Sequence, residues 1–476
     1  MRAHSVFRSS LITLLVFSGV LAGSSQEQVI FIPYSDARPI LEHMSEVLPS
    51  PLKGASEKDQ RDAWPSWVKQ YDSEIRSRLK KGDQDSVINF LLFGISFTKA
   101  PRFTPELIRQ LREGTASSDS NSSASGLLKR RIADLLDGAS SPVANDRLRF
   151  ARAVLNDAGY DLSSRDARAP ATSFLRSAVD GILKEYASYA ETLEAAQRLD
   201  PTSQLAQRST LFRNRGLSLD TSWRPNYALE DSLRELKQNG SLTPGSVHRI
   251  AIIGPGLDFA DKREGYDFYP QQTLQPFAVL DSLLRLGLTT EGAIQVTTLD
   301  ISPRVNLHIR HTLNAAQQGS AYTVRLPLDP ATKWSPGAAQ YWKAFGSNIG
   351  SISPAPVPAE LKGLELRAVR IRPEFVKLVH PVDLDVVLQR IEIPNPAHGF
   401  DLIVATNILV YYDVFGQSLA LSNIAAMLRP GGLLLTNNIL LEFPSIPMHS
   451  IGYRSTVYSE SANDGDHILW YQRAAN

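Results

Sequence analysis

Gly254, Gly256, Asp258 and Asp300 are the residues whose types and spacing point most directly to chemistry. The run Arg249 to Ile253 is apolar after its first residue and breaks into Gly254-Pro255-Gly256, with Asp258 close behind. A buried parallel strand that ends in such a turn lets a ligand approach the backbone closely, because glycine accepts positive φ and has no Cβ. Thr297 to Asp300 reads as a second strand with a carboxylate at its carboxyl end. An ionised carboxylate there can accept two hydroxyl hydrogen bonds, and ligands of open α/β sheets sit just outside such strand ends. The pattern predicts a site for a nucleoside-like cofactor. The competing structural roles are an ordinary tight turn for the glycines and helix capping for Asp300, ahead of Ser302-Pro303.

The elements that must position these residues follow from periodicity. From about Val247, β-branched apolar runs alternate with helical stretches. Strands are predicted at Ile250 to Ile253, Ile294 to Asp300, Phe400 to Ala405 and Gly432 to Asn437. Helices are predicted at Gln275 to Leu286, Arg304 to Gln317 and Phe415 to Leu428. Alternation of this kind implies parallel βαβ units with both sheet faces covered. Thr456 to Glu460 and His467 to Gln472 flank Asn463-Asp464-Gly465-Asp466, which predicts a terminal antiparallel hairpin. Residues 26–240 look mainly helical, with helices at Ala63 to Leu79, Ser86 to Phe97, Pro105 to Glu113, Leu127 to Leu136, Asn145 to Ala158 and Ser173 to Ala196. Ser117 to Ser125 reads as a mobile loop. The expected fold class is therefore α/β, a Rossmann-like sheet with a C-terminal antiparallel hairpin over 247–476, preceded by a mainly α-helical domain.

Composition narrows the function. The chain has 476 residues, 43% of them hydrophobic and 21% charged, with a net charge of +1. That charge balance gives no electrostatic reason to propose a nucleic-acid partner. There is no cysteine, which excludes disulfides, thiolate metal sites, a cysteine nucleophile and a lipoprotein anchor. The histidines, His308 and His311 among them, show no metal-ligand spacing with carboxylates, and no metal is expected. Arg2 and Arg8 precede the apolar Leu11 to Leu21, and Val20-Leu21-Ala22 supplies small residues for cleavage. Residues 1–22 thus read as a signal peptide, predicting an exported mature protein with no membrane segment.

The order of segments resembles class I S-adenosylmethionine (SAM)-dependent methyltransferases, and within them the chemotaxis-receptor glutamate methyltransferases. Four segments carry the likeness: Phe400 to Asp413, Leu428-Arg429-Pro430-Gly431-Gly432, Thr273 to Ala278, and Arg372 to Leu384. The resemblance implies a methyl-transfer fold with SAM as cofactor and an unidentified methyl acceptor. It places Gly254, Pro255, Gly256 and Asp258 against the methionine part, Asp300 and Ile301 at the ribose, and Asp383 and Leu384 near the adenine. Asn407 and Ile408 follow strand four, where an amide suits a zwitterionic amino acid. Tyr411 is expected to line the methyl-transfer site, and Arg213 to reach a substrate carboxylate in bidentate fashion.

The chain also departs from the family. Gln275 stands where that family has Glu, Thr406 where it has Arg, Asp383 where it has Asn, and Asp258 where a third glycine is usual. The Gly254 to Asp300 interval far exceeds the ~20 residues usual between such landmarks, so Phe259 to Gln272 is an insertion. It is either a lid or substrate loop, or a surface excursion. Two functions follow as expectations: a methyltransferase acting on a carboxylate or another oxygen or nitrogen nucleophile, or an exported binding protein that retains the fold without turnover. A nucleotide-dependent oxidoreductase is the third alternative, disfavoured by the hairpin.

Overall fold

A computed structural model describes residues 28–113, 123–141, 145–196, 215–259, 266–361, 363–461 and 464–475. The expected signal peptide, Arg213 and most of the Ser117 to Ser125 segment lie outside the described residues. Among the described residues no helix is long and apolar enough to cross a membrane.

The chain opens with β1 (Val29–Phe31) and the helices α1 (Tyr34–His43), α2 (Glu57–Phe93), α3 (Pro105–Glu113), α4 (Ala124–Ser140), α5 (Asp146–Asp157) and α6 (Arg168–Ala196). The helical expectation holds, with one correction. The helices read at 63–79 and 86–97 merge into the single helix α2, which ends at Phe93 with Gly94 as its C-cap, so residues 94–97 are not helical. Gly82 and Asp83, both of low helix propensity, fall in the gap between the two ranges. Gly82 is needed for contact instead: a Cβ there would lie 1.9 Å from the Leu217 carbonyl oxygen.

The second half runs α7 (Arg224–Gln238), β2 (Arg249–Ile253), α8 (Gln275–Arg285), β3 (Gln295–Asp300), α9 (Pro303–Gln317), β4 (Tyr322–Leu328), α10 (Pro336–Ala344), β5 (Gly350–Pro354), β6 (Glu365–Ile371), α11 (Pro373–Val376), β7 (Val379–Asp383), β8 (Gln389–Ile391), β9 (Phe400–Ala405), α12 (Val414–Met427), β10 (Leu428–Thr436), β11 (Met448–Val457) and β12 (Gly465–Arg473). Seven strands form one sheet in the order β11-β12-β10-β9-β2-β3-β7. The five from β7 to β10 are parallel, while β12 and β11 add antiparallel at the edge. This is the expected Rossmann-like sheet closed by a C-terminal hairpin.

Two details of the sheet differ from expectation. The hairpin strands are longer than read, and residues 458–464 join them instead of a tight Asp-Gly turn. β7 was not foreseen as a strand, because Pro381 interrupts it. Proline removes a ladder donor, and it is tolerated here because β7 is the edge strand. The separate antiparallel sheet β4-β6-β5 was likewise not foreseen. Its β4 carries Pro327 and polar Thr323 and Arg325, which mask the alternation.

The sheet is a two-sided core. Ile250, Ile252, Leu402 and Val404 pack with α7, α8 and α9 on one face. Ala251, Ile253, Ile403 and Ala405 pack with α12 and with Trp64 and Trp67 of α2 on the other. The early helices thus cover one face of the sheet with apolar surface, and α3 to α6 build a further core beyond it.

The described part of the insertion is neither lid nor surface excursion, because Phe259 enters the helical core between Phe90 and Phe150. Arg147, fully buried, donates to the carbonyls of Asp258 (3.1 Å), Phe259 and Tyr269. Asp267 accepts from the Ile95 amide (2.9 Å) and the Ser96 hydroxyl (2.7 Å). Arg147→Ala strands three buried carbonyls and is expected to cost about 3–5 kcal/mol in denaturant unfolding. Arg147→Lys should restore little, since an ammonium cannot reproduce the planar fork; full recovery by Lys would refute this account.

Candidate functional site

After β2 the chain runs outward to β3 and then β7, whereas β9 and β10 lie on its other side. The order therefore reverses between β2 and β9, and a crevice opens at the carboxyl ends of those two strands. A cavity of about 340 Å³ lies there. Of the residues expected from sequence, Gly254, Gly256, Gln275, Asp300, Ile301, Leu384, Asn407, Ile408 and Tyr411 line it. Pro255, Asp258 and Asp383 do not line it.

The turn after β2 needs its glycines. Gly254 has φ 63° and Gly256 φ 65°. A Cβ on Gly254 would meet Ile408 Cδ1 at 2.1 Å, and one on Gly256 would meet the Leu219 carbonyl oxygen at 2.5 Å. The turn is thus a backbone cradle pressed against two other segments.

Asp300 ends β3 and is buried. Its Oδ1 accepts from the Ser302 amide at 2.7 Å. Ser302, not Asp300, is the N-cap of α9. Burial pushes the Asp300 carboxyl up to about 7, against the Ser302 and Gly256 amides, which favour the anion.

Asn407 is the only non-glycine residue with positive φ among the described residues, at 59°. Such a conformation costs roughly 1–2 kcal/mol and persists only where neighbours enforce it. Asn437 does so: its Oδ1 accepts from the Asn407 amide at 2.8 Å, and its Nδ2 donates to Asn407 Oδ1. The pair ties the end of β9 to the end of β10. Tyr411 follows in a single 3-10 turn, and the Tyr411 carbonyl accepts from Arg78 Nη2 of α2 at 3.0 Å.

The residues that miss the cavity have defined partners. Asp258 Oδ2 accepts from the Tyr269 hydroxyl (3.0 Å) and Gln272 Nε2 (2.9 Å), inside the insertion. Asp383 faces Arg76 of α2, 2.7 Å away. Asp385 takes its place at the cavity, and its Oδ1 accepts from the Val387 amide at 3.0 Å. Burial, and after it the Asp72 carboxylate, push Asp385 up to about 7. Its sequence signal was an acid beside Leu384, overshadowed by Asp383.

A wall that sequence reasoning missed altogether comes from Leu217 to Ser222, ahead of α7, and from Arg224 and Pro225 at its start. Main-chain bonds dock it onto the glycine turn, the Leu257 amide donating to Leu219 O at 2.8 Å and the Thr221 amide to Leu257 O at 3.3 Å. Tyr458, Gly465 and Asp466 of the hairpin close the remaining side.

No family model matches this chain, and no curated protein does. Solved structures do. A magnesium protoporphyrin IX methyltransferase from Synechocystis PCC 6803, solved with bound SAM, is 10% identical over 58% of this chain and 86% of its own, with a TM-score of 0.24. The mitomycin 7-O-methyltransferase is 12% identical over 88% and 100%, with a TM-score of 0.27. The CMeT domain of the citrinin polyketide synthase is 11% identical over 94% and 99%, with a TM-score of 0.28.

Proposed function

We propose that this chain is a SAM-dependent methyltransferase acting on an oxygen or nitrogen nucleophile. The observation that carries the reading is Asp300, a buried carboxylate closing β3 beside a glycine cradle, in the crevice where the strand order reverses. In this reading Gly254 and Gly256 give the methionine end access to the backbone, with Asn407 beside it. Asp300 holds the ribose hydroxyls, and Ile301, Leu384 and Ile408 pack about the base. When bound, SAM supplies an electrophilic methyl group on a sulfonium. The chain's task is then to hold the acceptor in line and exclude water, which needs little acid–base chemistry. Tyr411 borders the transfer region, and Arg213 is assigned to the acceptor.

The finer kinship with chemotaxis-receptor methyltransferases is part of the same proposal. Gln275 Nε2 donates to Thr406 Oγ1 at 2.8 Å. The two departures from that family's Glu and Arg therefore touch each other. A neutral pair stands where that family has two residues of opposite charge.

Calorimetry on the mature chain tests the reading. Micromolar binding of SAM or its demethylated product is expected, and absence of binding to both sinks the proposal. Export through residues 1–22 is proposed separately. A fusion of residues 1–30 to a reporter active only after export should give signal, and silence would refute it.

Affinity should also depend on pH. The carboxyls of Asp300 and Asp385 are pushed up to about 7, from an ordinary value near 3.8. The folded chain thus keeps protons that the unfolded chain releases, so their contribution to stability falls as pH rises from about 4 to about 7. A ligand that hydrogen-bonds the ionised Asp300 has the opposite dependence. SAM should bind about thirtyfold tighter at pH 8 than at pH 5.5. A flat profile between these values would contradict the ribose role.

A further inference from the structure

We propose that Arg78 is a positioning residue for the glycine cradle: it grips the two segments that press on the cradle and so shapes the subsite for the amino-acid end of the cofactor. The cofactor role rests on the methyltransferase reading above. Arg78 belongs to α2 and precedes Leu79, which lines the cavity. Its partly buried side chain reaches two main-chain carbonyls. Nε donates to Arg215 O at 3.1 Å, and Nη2 donates to Tyr411 O at 3.0 Å. The guanidinium also lies 5.8 Å from the centre of the Tyr412 ring. Burial pushes it down from its ordinary value, as befits a cation drawn out of water. A planar guanidinium holds its donors in a fixed fork, so it can keep two carbonyls in one mutual arrangement.

Each of those carbonyls belongs to a segment that touches the cradle. Arg215 opens the stretch that leads to Leu219, and the Leu219 carbonyl oxygen is what a Cβ on Gly256 would meet. Tyr411 closes the 3-10 turn that follows Ile408, and Ile408 is what a Cβ on Gly254 would meet. The Tyr411 amide donates to Ile408 O at 3.2 Å, so the second arm of the fork stands one hydrogen bond from that neighbour. One guanidinium thus spans the segments that carry the neighbours of both glycines.

The main chain of α2 completes the seat. The Leu217 amide donates to Arg78 O at 3.2 Å, and a Cβ on Gly216 would lie 2.2 Å from the Gly82 nitrogen. Arg76 serves the opposite end of the cavity. Its Nη1 lies 2.7 Å from Asp383 Oδ1 and 3.4 Å from Ile301 O, at the ends of β7 and β3. At about 100° per residue, Leu79 falls between the two arginines around the helix. The face of α2 that meets the cavity therefore carries one arginine for the nucleoside end and one for the amino-acid end.

The test compares two ligands by calorimetry on the full mature chain. S-adenosylhomocysteine, the demethylated product, carries the amino-acid end, whereas 5′-methylthioadenosine lacks it and keeps the nucleoside. Arg78→Ala should weaken S-adenosylhomocysteine about tenfold, through loss of preorganisation, while 5′-methylthioadenosine stays within about twofold. Without ligand, amide hydrogen exchange in this variant should quicken about tenfold or more over 215–219 and 408–412 and stay unchanged in β3. Arg78→Lys keeps the charge without the fork, and should fall between wild type and Ala in both measurements. It carries the same comparison if the Ala variant fails to fold. Arg76→Ala should weaken both ligands alike. Equal losses of the two ligands in Arg78→Ala, unchanged exchange over those segments, or the same split in Arg76→Ala overturns the inference and leaves the methyltransferase reading standing. A wild-type chain that binds neither SAM nor its demethylated product overturns that reading and the cofactor role together, whereas exchange still decides whether Arg78 seats the two segments.

Discussion

Asp300→Ala is expected to weaken SAM binding about a hundredfold or more, because two charge-assisted hydrogen bonds to ribose hydroxyls are each worth roughly 1.5–3 kcal/mol. Its effect on folding should be small or favourable. The carboxylate is buried, and the raised carboxyl shows that the folded chain disfavours its charge. The loss of the bonds from the Ser302 and Gly256 amides is offset by relief of that cost. Binding and stability therefore move separately in this variant, which distinguishes a ligand-holding residue from a structural one. Asp300→Asn, which keeps an acceptor but not the charge, should fall between wild type and Ala and lose the pH dependence. Calorimetry and a thermal melt on the same samples decide it. If Asp300→Ala bound SAM like wild type, the ribose assignment would be wrong. If the variant instead unfolded, Asp300 would serve the β3–α9 turn structurally, through its bond from the Ser302 amide.

The parts of this site that could be read from sequence share one property: the signal is local. An apolar run into Gly254-Pro255-Gly256, an acid at the end of Thr297 to Asp300, and Asn407 one turn ahead of Tyr411 each sit inside a single strand–loop unit. The parts that could not be read depend on contacts between distant segments. Leu219 reaches the glycine turn through its carbonyl, and a main-chain contact leaves no trace in side-chain type. Asp383 and Asp385 flank Leu384 and look equivalent in sequence. Arg76, on a helix some 300 residues away, captures the first, and the second lines the cavity. Asp258 suited a ligand loop until Tyr269 and Gln272 claimed it from within the insertion. The continuity of α2 through Gly82 is the same lesson in the fold: a residue of low helix propensity is retained because Leu217 presses on it.

Gly256→Ala should damage stability and binding together. Alanine at φ 65° costs roughly 1–2 kcal/mol wherever it occurs. Here the new Cβ would also lie 2.5 Å from the Leu219 carbonyl oxygen, which is backbone and cannot rotate aside. The docked segment must shift, and with it the bonds from Leu257 and Thr221 that seat the 217–225 wall. An expected total of about 2–4 kcal/mol follows, with SAM affinity down about tenfold or more because the cradle and one wall move at once. Gly287→Ala separates the two causes. Gly287 has nearly the same φ, 64°, but a Cβ there meets nothing within 4 Å. It should cost about 1–2 kcal/mol and leave SAM affinity unchanged. If the two variants lost equal stability and neither lost affinity, the contact between the glycine turn and Leu219 would have no part in shaping the site. If Gly256→Ala alone lost affinity, the segment ahead of α7 would be established as a wall of the cofactor cavity, held there by backbone contact rather than by any side chain a sequence could display.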